Sequence, residues 1–287
     1  MRKLIAFPWV GGKTYHLLWL LPIIDGIQHI TYVEPFGGSA AVLLNKKPSH
    51  IEVYNDLCED VVEFFMTLRD HKNELLPLLE MTPYSREEFA EACKDHGEDD
   101  VERARRFYVR ARQVRTGFGS VATPGRWCYG KDQSCQGKAL PVARWLSGVG
   151  KLAKVAERIR HVRIESMDGI EVMRKHDSKD TLHYVDPPYL MAARSGWKVY
   201  RFEMEEKKHV ELLAFLKTLK GRVVLSGYAN PMYSNALKGW HEHHASPRAA
   251  PSTQQGLDSK ADVKQETVWV SPGASLPRYA LAASFPV

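Results

Sequence analysis

The sequence has few cysteines, and no two of them stand at Cys-x-x-Cys spacing. The four that are present are widely separated along the chain: Cys58, Cys93, Cys128 and Cys135. Structural zinc sites and disulfide frameworks draw on cysteines at characteristic spacings, so neither is indicated. We therefore expect reduced thiols and no bound metal.

Long apolar runs are also missing. The run from Leu17 to Ile24 near the N-terminus is far too short to span a bilayer. Glycines and polar residues interrupt the hydrophobicity before it, and no small-residue cleavage site follows, so a signal peptide is not indicated. We expect no membrane partner and a cytoplasmic location.

The composition is that of a soluble globular protein with a sizeable core. Its 287 residues are 44% hydrophobic, which suits one large domain or two modest ones. The net charge of +6 and the pI of about 9.0 suit a polyanionic partner but are too mild to establish one. The location of the positive charge is therefore more informative than its total.

Short apolar runs that end in polar or glycine-rich turns predict an α/β fold. Helical patterns join several of these runs, as crossover helices do in a largely parallel sheet. The predicted strands are 30–33, 51–54, 162–164, 182–185, 223–225 and 267–270, and the predicted helices include 40–45, 58–69 and 206–219. Residues 241–265, rich in His, Pro, Ser and Gln, are predicted to form a long exposed loop.

Residues 70–159 show no convincing strand pattern, and helical signals dominate. Ser85 and Glu88 have capping-box spacing, and Asp99 or Asp100 can cap a second helix that runs through Arg115. We interpret this region as an inserted helical domain. Residues 1–69 and 160–287 then form one discontinuous domain that contains the sheet.

The second helix of the insertion is strongly basic, and Glu102 is its only internal acid. Three of its arginines share a face, and basic residues alternate with aromatics in the segment that follows. Such a pattern favours phosphate contacts combined with stacking on bases, although a solvated helix and an irregular loop fit it equally well. The candidate nucleic-acid contacts are Arg103, Arg106, Arg110, Arg115, Phe118 and Arg126.

The predicted strand 182–185 leads into the turn Asp186-Pro187-Pro188-Tyr189. Neither proline can donate a backbone hydrogen bond, and each restricts the backbone around it, so the turn is rigid. It can hold the Asp186 carboxylate and the Pro187 carbonyl side by side as acceptors, with the Tyr189 ring beside them. A planar amino group, such as the exocyclic amine of a nucleobase, fits this arrangement. An ordinary strand-to-loop turn has a similar composition.

Two earlier strands end in residues that suit a cofactor. The first is followed by Glu34, Phe36 and the Gly37-Gly38 turn, where backbone can approach a ligand closely. The second ends at Asp56, about 20 residues on, where an acid in a Rossmann-like sheet binds ribose hydroxyls. Both groups are predicted at the carboxyl edge of the sheet.

The N-terminal segment adds an aromatic plane, a glycine pair and a cation, in Trp9, Gly11, Gly12 and Lys13. Lys13 after glycines suggests a Walker-type phosphate loop. That interpretation fails because the spaced glycine pattern is absent and no strand is predicted immediately before it.

In this order, the segments resemble the D12-class (Dam-type, α-group) DNA adenine-N6 methyltransferases of bacteria and their phages. The cofactor motif Glu34 to Gly38 comes first, the helical insertion second, and Asp186 to Tyr189 last. Asp56 with Asp60, and the stretches 115–119, 223–228 and 266–269, are also similar to the family. The resemblance implies a Rossmann-like, S-adenosylmethionine-dependent methyltransferase sheet with an inserted, mainly helical DNA-recognition domain.

The resemblance also implies the roles of the site residues. S-Adenosylmethionine would be the methyl donor and double-stranded DNA the substrate, and we expect a monomer or a weak dimer. Asp168 is a candidate for the adenine edge of the cofactor and can equally be a loop or cap acid. The implied cofactor residues are Trp9, Gly11, Gly12, Lys13, Glu34, Phe36, Gly37, Asp56 and Asp186, and the implied catalytic residues are Asp186, Pro187, Pro188 and Tyr189.

In the implied mechanism, Asp186 and the Pro187 carbonyl accept the two N6 hydrogens of an adenine that has been flipped out of the duplex, and Tyr189 stacks on it. Three alternatives remain open. Related enzymes methylate cytosine N4 in DNA, and others act on guanine N2 or protein glutamine; a module of this fold can also bind DNA without activity. The aspartate at position 186 weighs against guanine and glutamine, and the motif order weighs against typical cytosine-N4 enzymes.

Overall fold

The computed structural model describes residues 3–95, 97–115, 122–130, 134–135, 137–190, 203–245 and 266–273. The helices of this part are α1 (Leu17–Gly26), α2 (Glu59–Asp70), α3 (Lys72–Met81), α4 (Arg86–Lys94), α5 (Asp100–Gln113), α6 (Leu140–Ile159), α7 (Gly169–His176), α8 (Glu206–Leu216) and α9 (Pro231–Ala236). The strands are β1 (Thr31–Glu34), β2 (Ile51–Asn55), β3 (Ser134–Cys135), β4 (Lys138–Ala139), β5 (Arg163–Glu165), β6 (Thr181–Val185), β7 (Arg222–Tyr228), β8 (His241–His244) and β9 (Glu266–Val270).

Seven strands form one sheet in the order β5-β2-β1-β6-β7-β9-β8. The five strands from β5 to β7 are parallel, and β9 is antiparallel to both β7 and β8. All six predicted strands are present, with ends that differ by a few residues. The mixed α/β architecture confirms the predicted Rossmann-like class.

The central strands are continuous apolar runs because both faces of the sheet are covered. Every residue of β6 is buried. Tyr184 packs into the larger core on one face, and Val185 packs into a second core with Leu225 on the other. Alternation of side chains along a strand produces this division.

The predicted loop over 241–265 is wrong at its start, because His241–His244 form the edge strand β8. Three of its four residues are exposed, so its polar sequence carries no apolar pattern. Backbone pairing with β9 holds it in the sheet instead. Residues 246–265 lie outside the described part of the chain.

The predicted helix over 40–45 is also wrong. The segment forms turns, with backbone hydrogen bonds from Leu44 N to Ala40 O (2.9 Å) and from Lys46 N to Val42 O (2.9 Å). Ala40 has a φ of 54°, a left-handed conformation that is incompatible with a regular helix start. A regular helix therefore does not begin after the glycine turn.

The region 70–159 is mainly helical, as predicted, and contains the short β3–β4 hairpin as well. Ser85 caps α4 by accepting from Glu87 N and Glu88 N, and Asp99 caps α5 by accepting from Glu102 N. The Glu88 side chain does not complete the predicted capping box, because its carboxylate binds Arg105 at 2.5 Å. Helix α5 ends at Gln113, two residues before the predicted Arg115.

The helices of this region share one core with the sheet. Phe107 and Tyr108 of α5 pack on Phe64 of α2, and the rings of Tyr108 and Phe64 are stacked with centroids 5.6 Å apart. Full burial of one such side chain contributes roughly 1.5–3 kcal/mol. The insertion is thus attached to the sheet by apolar packing, and the predicted boundaries at 69 and 160 stay a prediction.

No helix within the described ranges combines the length and the apolar character needed to cross a membrane.

Candidate functional site

The carboxyl ends of three neighbouring strands open into one cavity of about 610 Å³. Strands β2 and β6 lie on opposite sides of β1, so the sheet has its topological switch point there, where ligands of such sheets bind. Glu34 of β1, Asp56 after β2 and Asp186 after β6 all line this cavity. The structure thus brings these three acids together at one edge of the sheet.

Glu34 is almost completely buried. Its Oε2 accepts hydrogen bonds from Tyr32 Oη at 2.7 Å and from the Leu43 backbone N at 3.1 Å. Burial raises the pKa of Glu34 to about 8, which the Tyr32 hydrogen bond opposes and the nearby Asp186 charge reinforces. Glu34 is thus mostly neutral at neutral pH and acts as a polar anchor beneath the turn.

The Gly37-Gly38 turn requires glycine for steric reasons. A Cβ on Gly37 would lie 2.1 Å from the Tyr54 ring, and one on Gly38, whose φ is 48°, would lie 2.5 Å from the Trp9 ring. Tyr54 is held in place by its hydrogen bond to the Gly38 carbonyl at 2.6 Å. The glycine backbone therefore packs closely against these two rings, whereas its close approach to a ligand stays a prediction. Trp9 and Phe36 line the cavity.

Asp56 is held by the backbone around it. Its Oδ2 accepts from Gly38 N at 2.7 Å and its Oδ1 from Cys58 N at 2.8 Å. Burial raises the pKa of Asp56, and these backbone hydrogen bonds lower it in part. A carboxylate oxygen has a second lone pair, so Asp56 can still accept from a ligand hydroxyl. Its predicted contact with ribose stays a prediction.

Asn55 is a structural residue of the site that the sequence prediction missed. It is fully buried, and its amide Nδ2 donates to the carbonyls of Pro35 and Met167, both at 2.9 Å. Its Oδ1 accepts from Met167 N at 2.9 Å. Asn55 therefore ties the turn after β1 to the loop after β5; the only signal in the sequence was its place at a strand end.

The Asp186 carboxylate lies in a cluster with one cation and a second acid. Lys13 Nζ is 2.7 Å from Asp186 Oδ1 and 3.5 Å from Glu266 Oε1, and it donates to the Gly11 carbonyl at 2.9 Å. Burial raises the pKa of Asp186, and the Lys13 charge lowers it. Lys13, one of the implied cofactor residues, thus binds the catalytic candidate Asp186 in this structure.

Tyr189 is buried, and its hydroxyl lies 3.2 Å from Asp186 Oδ1 and in hydrogen-bond contact with Glu266 Oε1. Its ring packs edge-on against Tyr228, with centroids 4.8 Å apart, and Lys13 Nζ lies 4.8 Å from its centroid. These contacts fix the orientation of the ring. Stacking of Tyr189 on a substrate base stays a prediction, as do the roles of Pro187 and Pro188, of which Pro188 lines the cavity.

Asp168 is a cap acid, one of its two sequence interpretations, and its contact with the adenine of the cofactor stays a prediction. It caps α7 by accepting from Ile170 N at 2.9 Å, and it also lines the cavity. Opposite it, α8 and the segment before it contribute Met204, Lys208 and Leu212, none of which the sequence singled out. Lys208 Nζ lies 3.9 Å from Asp168 Oδ2. An exposed charged residue on a helix, such as Lys208, has no sequence pattern that marks it as lining a cavity.

The arginines on the predicted basic face of α5 are engaged within the protein. Arg103 binds Glu63 at 2.5 Å, Arg106 binds Glu102 at 2.6 Å, and the buried Arg110 donates to the Ala92 carbonyl at 2.8 Å. DNA contacts by these three residues stay a prediction, and phosphate would have to compete with their internal partners.

The two later arginines among the candidates are exposed. Arg115 N donates to the Arg126 carbonyl at 2.7 Å, which places the two residues side by side. Next to them the guanidinium of Arg86 lies 4.8 Å from the Trp127 ring, which stacks on Tyr129. A basic and aromatic surface of this kind suits nucleic acid. Phe118, the predicted wedge, lies outside the described residues.

Within the described ranges, no three His, Cys, Asp or Glu side chains converge as metal ligands would.

The sequence model of one protein family, D12 class N6 adenine-specific DNA methyltransferase, matches residues 9–249. The match spans well over half of the chain and includes every predicted catalytic and cofactor residue, from Trp9 to Tyr189. Among the curated proteins, no match was found.

Proposed function

Because the chain belongs to the D12 class of N6 adenine-specific DNA methyltransferases, we propose that it transfers a methyl group from S-adenosylmethionine to N6 of an adenine flipped out of double-stranded DNA. The observation that carries the proposal is the position of Asp186 in the same cavity as Glu34 and Asp56. One cavity can then hold the methyl donor and present its methyl group to an amine bound by Asp186.

The cavity suits S-adenosylmethionine in size and chemistry. A volume of about 610 Å³ lies within the range of small-molecule sites. Trp9 and Phe36 offer aromatic surface for the adenine, and Asp56 can accept from the ribose hydroxyls. When bound, S-adenosylmethionine supplies an electrophilic methyl group. The acids that line the cavity complement its positive sulfonium.

Asp186 and the Pro187 carbonyl act on the amine. The lone pair of adenine N6 is delocalised into the ring, so the nitrogen is a poor nucleophile. Hydrogen bonds from its two hydrogens to Asp186 and Pro187 favour a tetrahedral nitrogen with an available lone pair. The nitrogen gains positive charge during transfer, so these acceptors stabilise the transition state more than the ground state. Afterwards Asp186 can accept the proton that leaves.

Base flipping is part of the proposal, because Asp186 lies in a cavity and enzymes that act on a base extrude it from the duplex. Tyr189 would stack on the extruded adenine. The exposed Arg115 and Arg126 would hold phosphates nearby. The recognised DNA sequence depends on side chains that reach base edges, most of them in the insertion.

The test is incubation of the protein with methyl-labelled S-adenosylmethionine and DNA, followed by nucleoside analysis. We expect labelled N6-methyladenine from the wild type, and a loss of at least about 100-fold in Asp186→Ala with the fold retained. Asp180→Ala, which removes an exposed acid at the opposite end of β6, is the matched control and should keep full activity.

Three results would contradict the proposal. Labelled N4-methylcytosine would identify a cytosine enzyme, and DNA binding without label transfer would identify an inactive module. Wild-type turnover by Asp186→Ala would remove Asp186 from the mechanism.

A further inference from the structure

We propose that Glu266 is a positioning residue of the transfer site: its carboxylate takes the Tyr189 hydrogen and shares Lys13 with Asp186, so that Asp186 keeps its negative charge available to the substrate amine. This inference rests on the proposed function. Glu266 is the first residue of β9, and it lies beyond the residues matched by the family.

The Tyr189 hydroxyl reaches two carboxylates but can donate to only one. A phenol has a single hydrogen, and Asp186 Oδ1 and Glu266 Oε1 are both in range. The 3.2 Å separation from Asp186 Oδ1 is long for an O–H···O hydrogen bond, so we assign the hydrogen to Glu266. Asp186 then accepts no hydrogen bond from the Tyr189 hydroxyl and can accept one from another donor.

Lys13 would neutralise Asp186 if Glu266 were absent. Its ammonium is buried, with only 4% of the side chain exposed, and it lies 2.7 Å from Asp186 Oδ1. A close ion pair of this kind has no net charge to oppose the positive charge that develops on the amine. With Glu266 Oε1 at 3.5 Å from the same ammonium, the described residues place two carboxylates and one cation in the cluster.

The resulting single negative charge complements the positive charge of the transition state. The cluster is shielded from solvent, with 6% of Glu266 and 15% of Asp186 exposed, so this charge is poorly screened. Glu266 thereby acts through Asp186 without touching the substrate, and the pH dependence of transfer should report on it.

Other ionisable groups lie around the cluster in the described part of the chain. Burial lowers the pKa of His16 to about 4, and burial raises the pKa of Tyr184 and of Tyr233. Glu34, with its pKa of about 8, titrates on the alkaline side. Among the described residues, Tyr228 also lies against the Tyr189 ring, and His244 contacts Thr267 at 3.1 Å.

The experiment is a pH profile of the single-turnover methylation rate for Glu266→Gln, Glu266→Asp and the wild type. Glu266→Gln removes the negative charge of Glu266, so that Asp186 no longer shares Lys13 with a second carboxylate. The acidic limb of the pH–rate profile, which reports the ionisation of Asp186, should then move to lower pH by on the order of one unit. The rate on the plateau should fall by about tenfold or more, since a less basic carboxylate is a poorer acceptor. Glu266→Asp keeps the charge and should keep the limb near its wild-type position.

Glu242→Gln is the matched control, because it removes an exposed acid from the neighbouring strand β8. The acidic limb and the plateau rate of its pH profile should equal those of the wild type. A lower Glu266→Gln plateau with an unmoved limb would mean a merely structural role, and an unchanged profile would mean no role; either overturns the inference.

If Glu266→Gln does not fold, the pH–rate profile of Tyr189→Phe tests the inference instead. Without the hydroxyl, the full Glu266 charge acts on Asp186, so the limb must move up, and an unmoved limb overturns the inference. Failure of the proposed function is separate, because in that case the wild type itself forms no N6-methyladenine.

Discussion

Lys13 and Asp186 form a buried ion pair at 2.7 Å that joins the N-terminal segment to the carboxyl end of β6. The pair places the Lys13 ammonium directly beside the carboxylate that is the catalytic candidate. Because Lys13 Nζ also lies 3.5 Å from Glu266 Oε1, one ammonium faces two acids. The site therefore depends on three parts of the chain that are far apart in sequence.

Replacement of this cation by an isosteric apolar side chain, Lys13→Met, should impair transfer by raising the pKa of Asp186. The two buried carboxylates would then repel each other without a cation between them, so one would hold a proton at neutral pH. We expect the acidic limb of the single-turnover rate to move to higher pH and the rate at neutral pH to fall by about 100-fold.

Lys3→Met is the control for that substitution. Lys3 Nζ is also in the N-terminal segment but donates to the Thr14 carbonyl at 2.7 Å, away from the acids. Its profile should match the wild type. If the acidic limb of the Lys13→Met profile lies at the wild-type pH, Lys13 does not lower the pKa of Asp186.

Glu34 predicts how stability depends on pH. Its folded-state pKa of about 8 exceeds its ordinary value of 4.5, so between these values the folded protein holds a proton that the unfolded chain has lost. Stability from this group is complete below the lower value and is lost as the pH rises to the upper one. The loss should be on the order of 5 kcal/mol, since each unit of pKa difference corresponds to about 1.4 kcal/mol.

Chemical denaturation of the wild type and of Glu34→Gln, at about pH 5 and at about pH 9, checks this linkage. Glutamine keeps an acceptor for Tyr32 and Leu43 but cannot ionise, so Glu34→Gln should gain stability relative to the wild type as the pH rises. Glu80→Gln, an exposed acid on α3, should follow the wild type. An equal pH dependence in Glu34→Gln and the wild type would refute the raised pKa.

The central fold was predictable because each buried strand leaves a continuous apolar run, and β6, with every residue buried, is the clearest case. The edge strand β8 was not, because its exposed histidines carry no such run and pairing with β9 is made by backbone. The helix over 40–45 failed for a local reason: the φ of 54° at Ala40 is invisible in an apolar sequence.

Some residues of the site were likewise predictable from the sequence, and others were not. Glu34, Asp56 and Asp186 were predictable because each ends a parallel strand, and such ends meet at one edge. Glu266 reaches the same edge from the amino end of an antiparallel strand, which no spacing rule connects to Asp186. The partners of the α5 arginines were equally hidden, since Arg103 binds Glu63 and Arg110 binds the Ala92 carbonyl across helix contacts.

The difference between paired and exposed arginines predicts which of them contact DNA. Arg115 and Arg126 are exposed, whereas Arg110 is buried, with Asp60 at 3.3 Å and the Ala92 carbonyl at 2.8 Å. Each arginine that contacts a phosphate releases counterions on binding, so its loss lowers the salt slope of DNA affinity by about 0.9. Arg115→Ala and Arg126→Ala should each show this reduction with the fold unchanged.

Arg110→Ala is the matched comparison, because it removes the same charge from the interior. It should leave the salt slope at its wild-type value and lower the free energy of unfolding by roughly 2 kcal/mol, the scale of hydrogen bonds made by a charged group. DNA titrations at several salt concentrations, together with urea unfolding, separate the two effects. If the slope falls in Arg110→Ala and stays in Arg126→Ala, the DNA surface lies along the predicted basic face of α5, and the arginines there exchange their internal partners for phosphate.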